Sequence, residues 1–124
     1  MEFKIDTRDM FSVITPVTDK IDANLTGLLT AECLKLTQNG SNNFIVDLQH
    51  CMTIDHASVN EFIKMHEDFY SEEHSLVFTG FSDGVMKALK ENETDLLLNI
   101  APKMEEAIDI VSMEILERDL LSEE

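Results

Sequence analysis

Apolar and polar residues alternate along this chain in blocks whose period changes from strand-like to helix-like and back. Met1 to Ile5 puts Phe3 and Ile5 on one face, Asp6-Thr7-Arg8-Asp9 reads as a turn, and Phe11 to Val17 reads as a second strand. The spacing therefore predicts an N-terminal hairpin. Pro16 falls near the end of that strand, where an edge or terminal position tolerates a missing N–H. Asp19 to Asp22 reads as a polar connection, after which Leu25, Leu28, Leu29, Cys33 and Leu36 recur at helical spacing. Asp22 is placed to cap this first helix, and Gly40 to end it in the left-handed conformation.

The rest of the chain is organised around Phe44 to Val59. Phe44-Ile45-Val46, closed by Asp47-Leu48, predicts a strand buried on both faces. After a short loop, Val59, Phe62, Ile63, His66, Phe69 and Tyr70 mark a second helix, and Asp55 is placed to accept from its otherwise orphaned first-turn N–H groups. Ser75 to Thr79 predicts another buried strand. Ser82 caps a short helix carrying Val85, Met86 and Leu89, and Leu96 to Ile100 predicts a last strand, broken by Ala101-Pro102. Met104, Ala107, Ile108, Val111 and Ile115, at positions i, i+3, i+4, i+7 and i+11, mark a final amphipathic helix. Its outer side is expected to carry Glu105, Glu106, Asp109, Glu114, Glu117 and Asp119.

A hairpin followed by alternating helices and strands implies an α/β fold: a mixed sheet with parallel inner strands, right-handed crossovers and about four helices. Residues 1–124 read as one domain. Leu116, Leu120 and Leu121 continue the last apolar stripe beyond what one packing face needs. From about residue 116 the helix is therefore expected to extend past the domain and to meet a partner or a second copy, the latter giving a homodimer. In open sheets of this kind, ligands and partners dock where the chain leaves a strand's carboxyl end, which here directs attention to residues 49–60.

Charge narrows the partners. Nine basic residues face twenty-five acidic ones, a formal charge of −16. Such a field repels nucleic acid and anionic membrane surfaces, both of which are bound through Lys and Arg, and it favours basic partners. No apolar run approaches the roughly 18 residues that a membrane span requires, and MEFKIDTRD lacks the pattern of a secretory signal. The expected location is the cytoplasm, where Cys33 and Cys51 would be free thiols.

Catalytic chemistry finds little footing. His50, Cys51 and His56 lie close in sequence but lack the spacing of a zinc site, so no metal is expected. Asp55, His56 and Ser58 contain the residue types of a hydrolase triad, yet neighbours at a helix start rarely assemble the hydrogen-bond chain that a triad needs. His66, on the apolar face of the second helix, reads as a satisfied, half-buried residue. The four glycines, at 27, 40, 80 and 84, are not clustered into a phosphate loop, and no pattern calls for a cofactor.

The order of elements, with IVDLQ, an apolar-Asp-x-x motif opening a helix, FSDGVMKAL and LLLNIAPKMEEAIDIV, resembles the STAS domain over about residues 2–116. That domain occurs in bacterial anti-sigma-factor antagonists and in the cytoplasmic part of sulphate transporters. The resemblance implies a non-enzymatic regulatory domain that binds an anti-sigma factor, also a serine kinase-type ATPase. The family's central loop typically reads Asp-Ser-Ser-Gly-Leu, and phosphorylation of its second serine adds nearly two negative charges that break the contact. The corresponding residues here are Asp55-His56-Ala57-Ser58-Val59, so alanine stands where the phosphoacceptor belongs and serine where glycine is usual.

Three readings stay open. The chain is an antagonist without the switch, docking through Asp22, Ile54, Asp55, His56, Ala57, Ser58 and Val59. Alternatively the switch has moved to Ser58, rotated by roughly 100° on the helix. In the third, the site is merely structural and partners bind elsewhere; the chain as a non-switching scaffold subunit of a larger STAS assembly is a further alternative. A small enzyme built around His56 and Cys51 is the rival from another class, and it would need an ordered pocket beside the loop.

Overall fold

Phe44, Val46, Leu76 and Phe78 belong to one hydrophobic core, and Ile45 and Val77 to another, because successive side chains of a strand point to opposite faces. The computed structural model describes residues 2–122. Its elements run β1 (Glu2–Thr7), β2 (Ser12–Val17), β3 (Lys20–Ile21), α1 (Ala23–Gln38), β4 (Phe44–Asp47), β5 (Thr53–Ile54), α2 (His56–Ser71), β6 (Leu76–Thr79), α3 (Asp83–Glu91), a 3-10 turn (Thr94–Leu96), β7 (Ile100–Ala101) and α4 (Met104–Ser122). The main sheet has five strands in the order β1-β2-β4-β6-β7. Only the β1–β2 hairpin is antiparallel, so the sheet is mixed with parallel inner strands, as the alternation of elements predicts.

The larger core fills the side covered by α1, α2 and α3, with Leu25, Leu29, Phe62, Val85 and Leu89 against the sheet. Helix α4 closes the other side through Ala107, Val111 and Ile115. β2 is an inner strand, yet Pro16 costs it no ladder bond to β4, because that pairing ends at Ile14. Ile5, expected to share a face with Phe3, stays exposed on the edge strand β1, while Phe3 packs against the larger core.

Helix ends follow local chemistry. Asp22, Asp55 and Ser82 each accept from the N–H three residues on, satisfying donors that the helix itself leaves orphaned. α1 ends with Gly40 at φ +96°, and the Gly40 and Ser41 N–H groups donate to the Thr37 and Leu36 carbonyls. α2 ends in the same motif, but Glu73 occupies the left-handed position at φ 63°.

Two expectations need correction. Leu96 to Ile100 does not form a strand: Thr94–Leu96 is a 3-10 turn, Leu96 and Leu97 face solvent, and only Ile100–Ala101 pairs with β6. The edge is thereby kept short, and Pro102 follows at once. Glu114 is not on the outer side of α4. Its Oε1 accepts from the Tyr70 hydroxyl (2.8 Å) and the Ser75 hydroxyl (2.6 Å), and its Oε2 from the Asn99 amide (3.1 Å). One turn on, the Arg118 guanidinium donates to Asn43 Oδ1 (2.8 Å) and Ser75 Oγ (2.9 Å). This polar cluster bolts α4 to the amino ends of β4, β6 and β7.

Candidate functional site

At the other end of the sheet the chain leaves β4 through Asp47, whose carboxylate accepts from the Gln49 backbone N–H (3.2 Å) and side-chain amide (2.7 Å). Gly80, which follows β6, approaches this turn so closely that a Cβ there would collide with Asp47 Oδ1, and its φ of +78° is the left-handed value glycine accepts without strain. The loop leaving β4 is thus packed against the loop leaving β6.

The chain then runs back beside β3. Met52 and Thr53 N–H groups donate to the Asp19 carbonyl at 2.7 and 3.2 Å, and Asp55 N–H donates to the Ile21 carbonyl at 3.0 Å. Lys20 pairs with Thr53 and Ile21 with Ile54 in a two-stranded parallel ladder. The next residues along that ladder are Asp22 and Asp55, so it sets the caps of α1 and α2 side by side. The segment Asp19 to Asp22 is therefore not a plain polar connection: Ile21 is fully buried. A signal for this pairing does exist in the sequence, since Lys20-Ile21-Asp22-Ala23 and Thr53-Ile54-Asp55-His56 both read as an isoleucine followed by a cap and a helix.

Each expected site residue has a definite place. Asp22 and Ile54 are half-buried, Asp55 is partly exposed, and His56 and Ala57 are exposed at the first turn of α2. Ser58 and Val59 are turned inward. The Ser58 backbone N–H and hydroxyl both donate to Asp55 Oδ1, at 2.9 and 2.7 Å. The Ser58 hydroxyl, then its backbone N–H, holds the Asp55 carboxyl below the usual carboxylate range. Met52, Thr53 and Asn60, which lie within residues 49–60 but not among the expected site residues, are exposed as well.

Cys51 and His56, the residues of the enzymatic rival, lie in different surroundings. Cys51 is fully buried, and burial, then the nearby Asp19 carboxylate, pushes its thiol up to about 11, so it holds its proton at neutral pH. Cys33 is likewise buried and its thiol is pushed further up, mainly by desolvation. His50 and His56 are exposed. The cleft of about 440 Å³ at the carboxyl ends of β6 and β7 is lined by Phe81, Asp83, Met86, Asp95, Ile100, Ala101 and Pro102, without His56 or Cys51. Among the described residues, no group of three or more His, Cys, Asp or Glu side chains is arranged to hold a metal ion. Among the described residues, no helix is long and apolar enough to cross a membrane.

His66 departs from expectation. It is half-buried with its ring 4.6 Å from that of Tyr70, but its buried Nδ1 has no hydrogen-bond partner among the described residues. Desolvation lowers its pKa, opposed by the Glu114 and Glu67 carboxylates.

No family model matches the chain, and no relative is found among curated proteins. Solved structures do match. A putative anti-sigma factor antagonist from Thermotoga maritima superimposes with a TM-score of 0.72 at 17% identity, covering 89% of this chain and 94% of that one. The anti-sigma factor antagonist SpoIIAA in its unphosphorylated form gives 0.67 at 17% identity, covering 90% and 96%. An anti-sigma-factor antagonist (STAS) domain protein from Planctomyces limnophilus gives 0.71 at 10% identity, covering 89% and 97%. By this overall superposition the chain has the STAS fold.

Proposed function

We propose that this chain is a regulatory protein-interaction domain of the antagonist type, binding an anti-sigma factor of the kinase-like ATPase class through the start of α2, without a phospho-switch. The observation that carries this reading is the disposition of residues 55–58. Ala57, at the position where the STAS resemblance expects the phosphoacceptor, is exposed and has no hydroxyl. Ser58, the one hydroxyl beside it, is fully buried and donates to the Asp55 cap. A kinase would have to unwind the first turn of α2 and break that cap to reach it.

Ile54, Asp55, His56 and Ala57 make the contact in this reading, joined by Met52, Thr53 and Asn60. Ser58 and Val59 support the surface from inside, and Asp22 secures the neighbouring helix. SpoIIAA, one of the similar structures, exists in unphosphorylated and phosphorylated forms. The present chain would remain in the unmodified, binding-competent state.

Affinity capture from the host lysate tests this. Tagged wild type should recover an ATPase-type anti-sigma factor, and Ala57→Arg, on an exposed position, should lose it while melting at the same temperature. Equal recovery by both proteins would remove the docking site from this surface. Recovery of other STAS proteins alone would favour the scaffold reading.

A further inference from the structure

From Met113 on, the side of α4 that faces away from the sheet carries large apolar residues that no other described residue covers. Met113, Leu116 and Leu120 are 62%, 58% and 57% exposed, and Leu121 beside them 69%. At ~100° per residue the first three fall within roughly 60° of one another, opposite Ala107, Val111 and Ile115, which form the core face. One helix thus carries two apolar sides, of which the sheet covers one.

The charges around the exposed stripe are of one sign. Asp109, Glu117 and Asp119 are exposed along it. Arg118, the one basic residue within the helix, is turned away to Asn43 and Ser75. A second copy packed here about a two-fold axis would set carboxylates against carboxylates, in a chain already at −16. An anionic lipid surface meets the same repulsion, with no exposed lysine on the helix to anchor it.

We infer that this stripe docks an amphipathic helix of a partner protein, its Leu/Ile ridge flanked by Lys or Arg. The ridge packs between Met113, Leu116 and Leu120, and the flanking cations meet Asp109, Glu117 and Asp119. The surface is separate from the central loop, since α4 and α2 cover opposite faces of the sheet. It replaces the homodimer that the leucine stripe alone invites.

The test uses two synthetic helical peptides with the same leucine ridge, one flanked by Lys and one by Glu, titrated by fluorescence anisotropy into the full chain. The Lys-flanked peptide should bind, more weakly as salt rises, and should lose at least about tenfold in affinity for a Met113→Gln/Leu116→Gln/Leu120→Gln variant. Leu34→Gln, on an exposed position of α1, should leave binding unchanged. Sedimentation should show a monomer throughout, and thermal melts should show both variants folded. No binding of the Lys-flanked peptide, equal binding of the Glu-flanked one, or indifference to the triple substitution would overturn the inference. So would a wild-type dimer that the triple substitution dissolves, which would assign the stripe to a second copy.

Discussion

Ser58 illustrates how a hydroxyl in the right stretch of chain is disarmed by its own hydrogen bond. Its oxygen lies 2.7 Å from Asp55 Oδ1, in a fully buried position. Phosphate there would place about two negative charges against an ionised carboxylate, at the cap of the helix that holds the site. His66 shows the opposite case, a group that sequence spacing makes unremarkable and the structure leaves unsatisfied. Burial lowers its pKa, so between the unfolded value of 6.5 and the lower folded value the unfolded chain binds the proton first. The His66 contribution to stability is therefore fully present above pH 6.5 and declines as the pH falls below it. Thermal melts between neutral and mildly acidic pH should show this decline, and His66→Phe, which cannot take the proton, should flatten it. The neighbouring Glu67, Tyr70 and Glu114 remain in both proteins, so an unchanged slope in the variant would assign the pH dependence to other groups.

At the level of elements, termination chemistry decides what packs where. α1 and α2 end in the same pair of hydrogen bonds, but one uses Gly40 and the other Glu73 in the left-handed region. A side chain at φ 63° costs about 1 kcal/mol, partly offset by the smaller entropy a non-glycine residue loses on folding. Glu73→Gly should therefore raise stability by up to about 1 kcal/mol, read as a higher midpoint in urea. A lower midpoint would mean that the Glu73 side chain makes a compensating contact. The elements legible in the sequence were those with a local cause. Asp22, Asp55 and Ser82 are caps that any helix start needs, and Phe44 to Val46 is apolar on both sides of its pleat. The segment 96–100 misled because three consecutive leucines look like a buried strand, whereas the chain needs only two residues to finish the sheet edge. The β3–β5 ladder was hidden by its length, since two-residue strands carry no period. The Glu114 cluster draws on β-sheet ends, α2 and α4 at once, and no local pattern encodes such a meeting.

For the whole molecule, the fold and the place of the site follow from one arrangement. Helices α1 and α2 start side by side because β3 and β5 pair, and the exposed first turn of α2 follows directly on that ladder. In the sequence this much was visible as a location, Asp55 to Val59. Which residues face outward was not, because the turn from His56 and Ala57 outward to Ser58 and Val59 inward depends on how α2 lies on the sheet. The central claim is that this surface binds its partner and cannot be switched off by phosphate. The most direct measurement mixes the purified chain with the captured ATPase partner, adds ATP and magnesium, and follows complex by sedimentation and modification by intact mass. Wild type should stay unmodified and bound, whereas Ala57→Ser should gain one phosphate and dissociate. Phosphate on wild-type Ser58 with release of the partner would contradict the account.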